Sequence, residues 1–261
     1  MRYRFILIFC GLFGYTAQLG VRQRAAPLNE IPLANEPTDF WKNFELGEEI
    51  SVSGAFIYDG IRRFHELKKL DYPDEIFEVF YHFAMGLERL LKIAVVLLEH
   101  DDKVNQHALE ESLITHNHLG LLHRIQKHVK LRLDTPHNEF LALLSTFYKS
   151  FRYDRFSLSS VSDMDKERNA LCSFLAKHLQ VQFPERNNLF GTPNELRYKK
   201  FVHKIVLKIS SEVFAAIRER ASELGLYTYE LRNGSKAETV FLGEADIIAE
   251  DLLWKELLIF L

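Results

Sequence analysis

The sequence predicts an all-α protein, a bundle of four to six helices with a small β-hairpin near the C-terminus. The first observation is a row of apolar residues that recurs at alternating steps of three and four from Phe77 to Leu98, the spacing of one helix face. The second is proline and glycine punctuation that divides the chain into helix-length segments. The third is Asn233-Gly234 between two β-prone runs, the strongest short-range signal for a hairpin.

The chain divides into four predicted parts. Residues 1–20 open with two arginines and an apolar run, which has the shape of a secretory signal or an anchor, or of a buried element. The run is shorter than the roughly 20 apolar residues that cross a bilayer. Residues 21–50 form a proline-rich acidic lead-in, residues 51–225 the helical bundle, and residues 226–261 the hairpin followed by a C-terminal helix.

Each element of the bundle has its own local signal. Residues 51–70 show helical spacing that ends at a proline, and residues 74–100 carry the row of apolar residues already described. Residues 105–133 predict a helix interrupted near Asn117, and the pattern resumes after Pro136, over 140–151. Two further helices are expected, one capped by Ser162 or Asp163 and one running from the cap Asn194 to about Leu224.

Residues 226–261 supply the hairpin and the last helix. Tyr227–Arg232 and Thr239–Leu242 are the two predicted strands, on either side of Asn233-Gly234. Glu244–Phe260 is acidic and amphipathic, and predicts a helix.

Composition excludes several classes of function. The chain has 261 residues with 33 Lys+Arg against 36 Asp+Glu, so its net charge of -3 gives no global attraction to nucleic acid or membranes. Two cysteines exclude a disulfide framework and a four-thiolate zinc site. Phosphate-binding glycine loops and catalytic-serine elbows are absent from the sequence. We therefore expect no cofactor and no bound metal, and a cytoplasmic location, with export or anchoring through residues 1–20 as the alternative.

Histidines cluster at His107, His116, His118, His123 and His128. One interpretation makes His116 and His118 metal ligands or general bases. The other places them at a helix start and on a polar helix face. The spacing contains no pair at the interval that a metal site on one helix requires, and this favours the second interpretation.

Basic residues concentrate in two stretches. Arg124 and Lys127 lie in a stretch without any acidic residue, and Arg152 and Arg155 alternate with aromatic residues. If the two helices pack together, these four side chains form one positive surface that also carries aromatic rings. Such a surface suits a phosphate backbone with stacked bases, so the sequence predicts an RNA-binding surface. It carries no signal specific to DNA.

Three segments together resemble the HEPN domain superfamily. The stretch Gly86–Leu98 contains a Glu-x-x-x-Lys pair, Glu88 and Lys92, in a Leu/Ala-rich helix. A histidine-containing helix start, Thr115–Leu122, follows, and then Phe151–Phe156 with Arg152-Tyr153. The resemblance covers residues 50–180. It implies a bundle of four or five helices, often dimeric, in a prokaryotic defence, toxin–antitoxin or RNA-processing setting. The partners it implies are RNA or a nucleotide, a second copy of the chain, and an antitoxin or other protein.

Active members of that superfamily carry an Arg followed, after four to six residues, by a His. No His follows Arg152 at that interval, whereas Arg197 and His203 have it near the start of a long helix. The pair Arg132 and His137 also has it, but straddles a proline. We therefore expect a non-catalytic HEPN-like module that binds RNA, a nucleotide or a protein. The alternatives are a metal-independent endoribonuclease that uses Arg197 and His203, and a secreted or anchored helical protein.

Overall fold

The computed structural model describes residues 37–101, 103–154, 156, 165–184 and 191–243. The predictions for residues 1–20, for the helix after Gly243 and for the side chain of Arg155 lie outside these residues. The described part contains eight α-helices of seven residues or more: α1 Leu46–Glu66, α2 Pro73–Glu99, α3 Gln106–Ser112, α4 His118–Gln126, α5 Thr135–Thr146, α6 Lys166–Leu179, α7 Leu196–Glu223 and α8 Lys236–Leu242. The all-α prediction is confirmed, and the helices outnumber the four to six expected.

Helix α2 is the centre of the fold, as its row of apolar residues predicted. Phe80, Leu87 and Leu91 are buried within the core. The helix packs against α1, α4, α6 and α7. Its contact with α1 is close at Gly86, where a Cβ would lie 2.6 Å from Ile57 Cγ1. Ser53 Oγ of α1 donates a hydrogen bond of 2.7 Å to the Gly86 carbonyl across the same contact. This glycine therefore sets how near the two helices approach.

The proline-rich lead-in is helical from Pro37 onward, which corrects the boundary expected at residue 51. Pro37–Phe40 forms a helical turn and Trp41–Glu45 a π-helical turn, and both continue into α1. Proline is tolerated in the first turn of a helix because its missing N–H has no partner there. Leu46 and Ile50 are buried, so the apolar face of α1 begins before residue 51.

The starts of two other helices differ from the predicted ones because different residues cap them. Pro136 lies in the first turn of α5 instead of before it, with Asp134 and His137 forming a capping box. Asn194 does not cap α7, since its side chain donates hydrogen bonds to the carbonyls of Phe64 and Leu67 at the end of α1. The expected interruption near Asn117 is present, because its Oδ1 accepts a hydrogen bond from the Gly120 N–H at the start of α4.

The predicted hairpin is wrong. Tyr229–Leu231 forms a 3-10 turn and the second expected strand lies in α8. Ser235 caps that helix by accepting a hydrogen bond of 3.0 Å from the Glu238 N–H. The described residues contain no strand, only an isolated bridge between Lys69 and Pro193. Burial of one face of α8 against α1 and α7 outweighs the β-propensity of its residues.

Candidate functional site

A buried carboxylate on α2 joins two of the segments that carry the sequence resemblance. The Glu88 side chain is 8% exposed and accepts a hydrogen bond of 2.6 Å from Lys92 Nζ, one turn further along α2. Its second oxygen lies 3.0 Å from Nδ1 of His116, in the loop between α3 and α4. A carboxylate only accepts hydrogen bonds, so Nδ1 of His116 is the donor in this contact.

Tyr148 extends this contact to a third segment. Its ring centroid lies 4.2 Å from that of His116, and its hydroxyl donates a hydrogen bond of 3.0 Å to Met85 Sδ on α2. Burial raises the pKa of Tyr148 above its usual value, so the hydroxyl stays protonated. The guanidinium of Arg152 lies over the same ring, 4.0 Å from its centroid. We call Glu88, Lys92, His116, Tyr148 and Arg152 the Glu88 cluster.

The backbone between α5 and Arg152 explains how the side chains reach the cluster. Phe147–Phe151 forms a π-helical segment, which is wider than an α-helix. Phe147 and Tyr148 are consecutive and both buried. The π-helical turn lets two neighbouring aromatic rings face the core. Tyr148 then presents its ring to His116 on one side of the segment and to Arg152 one turn later.

The charge of Arg152 is not balanced by an ion pair within the described residues. It contacts two rings, those of Tyr148 and Tyr153, and hydrogen bonds to the Tyr153 hydroxyl. Its Nε is buried without a hydrogen-bond partner in the described part of the chain. No carboxylate of the described residues pairs with Arg152. The Tyr153 side chain beside it is exposed at 56%.

The charge of Arg124, unlike that of Arg152, is balanced by an ion pair. Its guanidinium forms a two-point ion pair with Glu99 at the end of α2, with an Nε–Oε1 distance of 2.9 Å. The hydrogen bond from Arg124 holds the pKa of Glu99 below its usual value. Lys127 is exposed beyond the end of α4. Arg124 is therefore largely neutralised, whereas Lys127 faces solvent.

Two carboxylates that bind basic side chains lie along one face of α2. Glu88, which binds Lys92 and His116, and Glu99, which binds Arg124, are eleven residues apart. On an α-helix this corresponds to about 16 Å along the axis and about 20° around it. His116 and Arg124 are thus bound on the same side of α2, by carboxylates about three helical turns apart. The side chain of Arg155 lies outside the described residues.

The two central histidines have opposite environments. His118 is buried, and its Nε2 donates a hydrogen bond of 2.9 Å to the Ala84 carbonyl. Burial lowers the pKa of His118, so it is a neutral core residue. His116 is 42% exposed and belongs to the Glu88 cluster. The helix-start interpretation therefore describes His118, whereas His116 is partly exposed and contacts Glu88.

Arg197 and His203 do not come together within one chain. Arg197 is 54% exposed, pairs with Glu195 and lies 4.9 Å from the centroid of the Tyr198 ring. His203 is buried, and its ring packs edge-on against that of His65. Both residues belong to α7, where six positions correspond to about 240° of rotation after one full turn is removed. Their sides of the helix therefore differ.

A groove of about 230 Å³ opens between α1 and α2 beside the Glu88 cluster. The residues that line it are Leu46, Glu49, Met85, Glu88, Arg89, Lys92, Ile93 and Val96. Within the described ranges, no group of three or more His, Cys, Asp or Glu is placed to hold a metal ion. No helix in the described part of the chain is long and apolar enough to cross a membrane.

Sequence reasoning missed two members of this site. Tyr148 reads as part of an apolar helix face, and only the π-helical turn brings its ring between His116 and Arg152. The Glu99 partner of Arg124 lies 25 residues away and has no local signal.

Comparison of the chain with protein-family models, with curated proteins and with solved structures gives no match.

Proposed function

We propose that the protein is an RNA-binding module that holds single-stranded RNA along the α2 face, with the Glu88 cluster as its principal contact. The observation that carries this proposal is the guanidinium of Arg152, which lies on the Tyr148 ring without a carboxylate partner among the described residues. A guanidinium held in this way presents its remaining N–H groups to an anion, and phosphate oxygens match its planar fork. No catalytic step forms part of the proposal.

The neighbouring side chains suit a nucleotide better than a simple anion. His116 and Lys92 share the charge of Glu88, so the buried carboxylate does not leave a net negative site. Tyr153 is exposed next to Arg152 and offers a ring on which a base can stack. The groove beside Lys92 adds apolar surface from Leu46 and Met85.

The length of the α2 face favours a strand over a single nucleotide. Glu99, which binds Arg124 three residues before Lys127, lies about 16 Å along α2 from Glu88. A second phosphate contact at that distance requires a ligand of several nucleotides. Because the protein has a net charge of -3, attraction to RNA has to arise from this local arrangement.

The HEPN resemblance supports the same location. Its three segments contribute Glu88 and Lys92, His116, and Arg152, and these side chains form one connected set through Tyr148. The resemblance also suggests a second copy of the chain or an antitoxin as partners, and these remain predictions. The same holds for the cytoplasmic location.

The direct test is binding of a fluorescent single-stranded RNA, measured by anisotropy, to the parent chain and to Arg152→Glu. We expect the substitution to weaken binding by roughly tenfold or more, since it replaces a phosphate contact by a repulsive charge. The affinity of the parent chain should fall as salt is added, and the slope should be smaller by about one for Arg152→Gln. Lys204→Glu is the matched control, because Lys204 is an exposed cation on α7.

An equal loss in the Lys204→Glu and Arg152→Glu variants would show that only net charge matters. Binding that is tight and independent of salt would contradict a phosphate-based contact. Thermal unfolding of each variant, followed by circular dichroism, separates a loss of binding from a loss of fold.

A further inference from the structure

The groove between α1 and α2 differs in charge from the neighbouring Arg152 side chain. Four charged side chains line the groove, the acids Glu49 and Glu88 and the bases Arg89 and Lys92. Each acid forms an ion pair with one of the bases, so these side chains give the groove no net charge. Arg152, in contrast, forms no ion pair with the described residues. A neutral polar group therefore suits the groove better than a phosphate does.

The size and the walls of the groove suit one heterocyclic base. Its volume is about 230 Å³. A cavity of about 150 Å³ holds benzene, so the groove has room for two fused rings. Leu46 of α1 and Ile93 of α2 line it with aliphatic side chains, which suit the flat faces of a base. Met85 also lines it and accepts the hydrogen bond from the Tyr148 hydroxyl, so the groove begins beside the ring that carries Arg152.

Glu49 and Arg89 give the groove a polar edge with a defined hydrogen-bonding pattern. A carboxylate only accepts hydrogen bonds and a guanidinium only donates them. Their ion pair joins Oε2 of Glu49 to Nη1 of Arg89, and neither side chain has another hydrogen-bond partner among the described residues. The two side chains are 42% and 34% exposed. The edge of the groove therefore offers a donor and a carboxylate with unused acceptor sites, next to each other.

Guanine matches this pattern better than the other bases do. Its Watson–Crick edge presents the acceptor O6 followed by two adjacent donors, the N1–H and the 2-amino group. A carboxylate accepts two parallel N–H groups through its two oxygens, and arginine is the commonest partner of guanine O6. Adenine and cytosine place an acceptor beside their amino group, and uracil places carbonyl oxygens on both sides of its single N–H. These acceptors would face the carboxylate unfavourably.

We propose that the groove is a guanine-binding site that selects a guanosine in the RNA held by the Glu88 cluster. The proposal rests on the proposed RNA-binding function and adds its base specificity. Glu49 accepts hydrogen bonds from the N1–H and the 2-amino group, and Arg89 donates to O6. Leu46 and Ile93 contact the faces of the base. The phosphate contact at Arg152 and the base contact in the groove are thus made by different parts of one surface.

The test compares fluorescent uridine oligomers that contain one central guanosine, inosine or adenosine, with binding measured by anisotropy. We expect the guanosine oligomer to bind at least about fivefold more tightly than the adenosine oligomer, and inosine, which lacks the 2-amino group, to give an intermediate affinity. Glu49→Gln replaces an acceptor oxygen by a donor and should remove this preference. Glu48→Gln, at an exposed neighbour that does not line the groove, is the matched control and should retain it.

The outcomes separate this proposal from the proposed function. Equal affinities for the guanosine and adenosine oligomers, with binding that Arg152→Glu still weakens, would contradict the guanine site and leave RNA binding in place. A guanosine preference that persists in Glu49→Gln, or equal affinities for guanosine and inosine, would also contradict the assignment. Absence of binding to every oligomer would contradict both proposals.

A second measurement on the parent chain applies if Glu49→Gln does not fold. An oligomer that carries 6-thioguanosine at the central position is cross-linked to the protein by ultraviolet light, and the linked peptides are identified by mass spectrometry. We expect links to residues 46–50 of α1 or 85–96 of α2, which contain the lining of the groove. Links confined to other peptides would overturn the proposal.

Discussion

Histidine side chains show how the local environment of a residue sets its role in this protein. His118 is buried and donates to a backbone carbonyl, so it belongs to the core. His116, two positions earlier, is exposed enough to meet a ligand and is oriented by a buried carboxylate. His65 is a third case, because burial and the nearby Lys199 ammonium lower its pKa from 6.5 to about 4.

The pKa of His65 predicts acid sensitivity. In the unfolded chain His65 takes up a proton as the pH falls through 6.5, whereas in the folded chain it stays neutral until about pH 4. The unfolded state therefore binds more protons in this interval, and the free energy of unfolding falls with decreasing pH. Discounted for partial exposure, the loss amounts to about 1–2 kcal/mol.

Urea unfolding at several pH values checks this expectation. His65→Gln should reduce the loss of unfolding free energy between pH 6.5 and pH 4, while His107→Gln, at a side chain that is 80% exposed, should leave it unchanged. Equal pH dependence in His65→Gln and the parent chain would show that His65 is not the group responsible.

At this scale the sequence allowed part of the candidate site to be predicted. Glu88 and Lys92 are one turn apart, so their contact follows from helix geometry alone. The contact of His116 with Glu88 depends on how the loop after α3 crosses α2. The pairing of Arg124 with Glu99 likewise depends on tertiary packing. No local pattern encodes either partner, which is why Arg124 was expected to be free for RNA.

Whether a segment of this fold forms a helix or a strand depends on which of its residues are buried. Thr239, Val240 and Phe241 of α8 have high β-propensity, and Asn233-Gly234 precedes the helix, yet Ala237, Val240 and Phe241 are buried on one helical face. The ring of Phe241 packs 4.9 Å from that of Phe214 on α7. The sequence of this segment does contain apolar residues three and four positions apart, the spacing of a helix face. The segment is short, however, and the Asn-Gly turn signal favoured the prediction of a hairpin. Longer rows of apolar residues, such as the one on α2, leave no such ambiguity.

The buried face of α2 predicts the effect of a charge at its centre. Leu91 has no exposed surface, so Leu91→Asp places a carboxyl group without a partner in the core. We expect the free energy of unfolding to fall by about 4 kcal/mol or more. The same change at Leu196, which is 61% exposed in the first turn of α7, should cost less than about 0.5 kcal/mol.

Chemical denaturation of both variants, followed by circular dichroism, measures the difference. An unchanged midpoint for Leu91→Asp would contradict the assignment of α2 as the central helix.

Across the whole molecule, one helix links stability to the proposed function. The buried side of α2 organises the bundle, and its polar side carries Glu88, which binds Lys92 and His116, and Glu99, which binds Arg124. The connection before α2 is fixed by Asp71, which pairs with the buried Arg168 of α6. The Arg168 guanidinium also donates a hydrogen bond of 2.9 Å to Thr192 Oγ1. These contacts join the start of α2 to α6 and to the segment before α7.

The most direct test of this account is to map where RNA contacts the protein. Single-stranded RNA containing thiouridine can be cross-linked to the full chain by ultraviolet light, and the linked peptides identified by mass spectrometry. We expect cross-links in the peptide that contains Tyr148 and Tyr153, and we expect Arg152→Glu to remove them while Lys204→Glu retains them. Cross-links concentrated instead on the α7 peptide around Arg197 and Lys204 would contradict the proposed site.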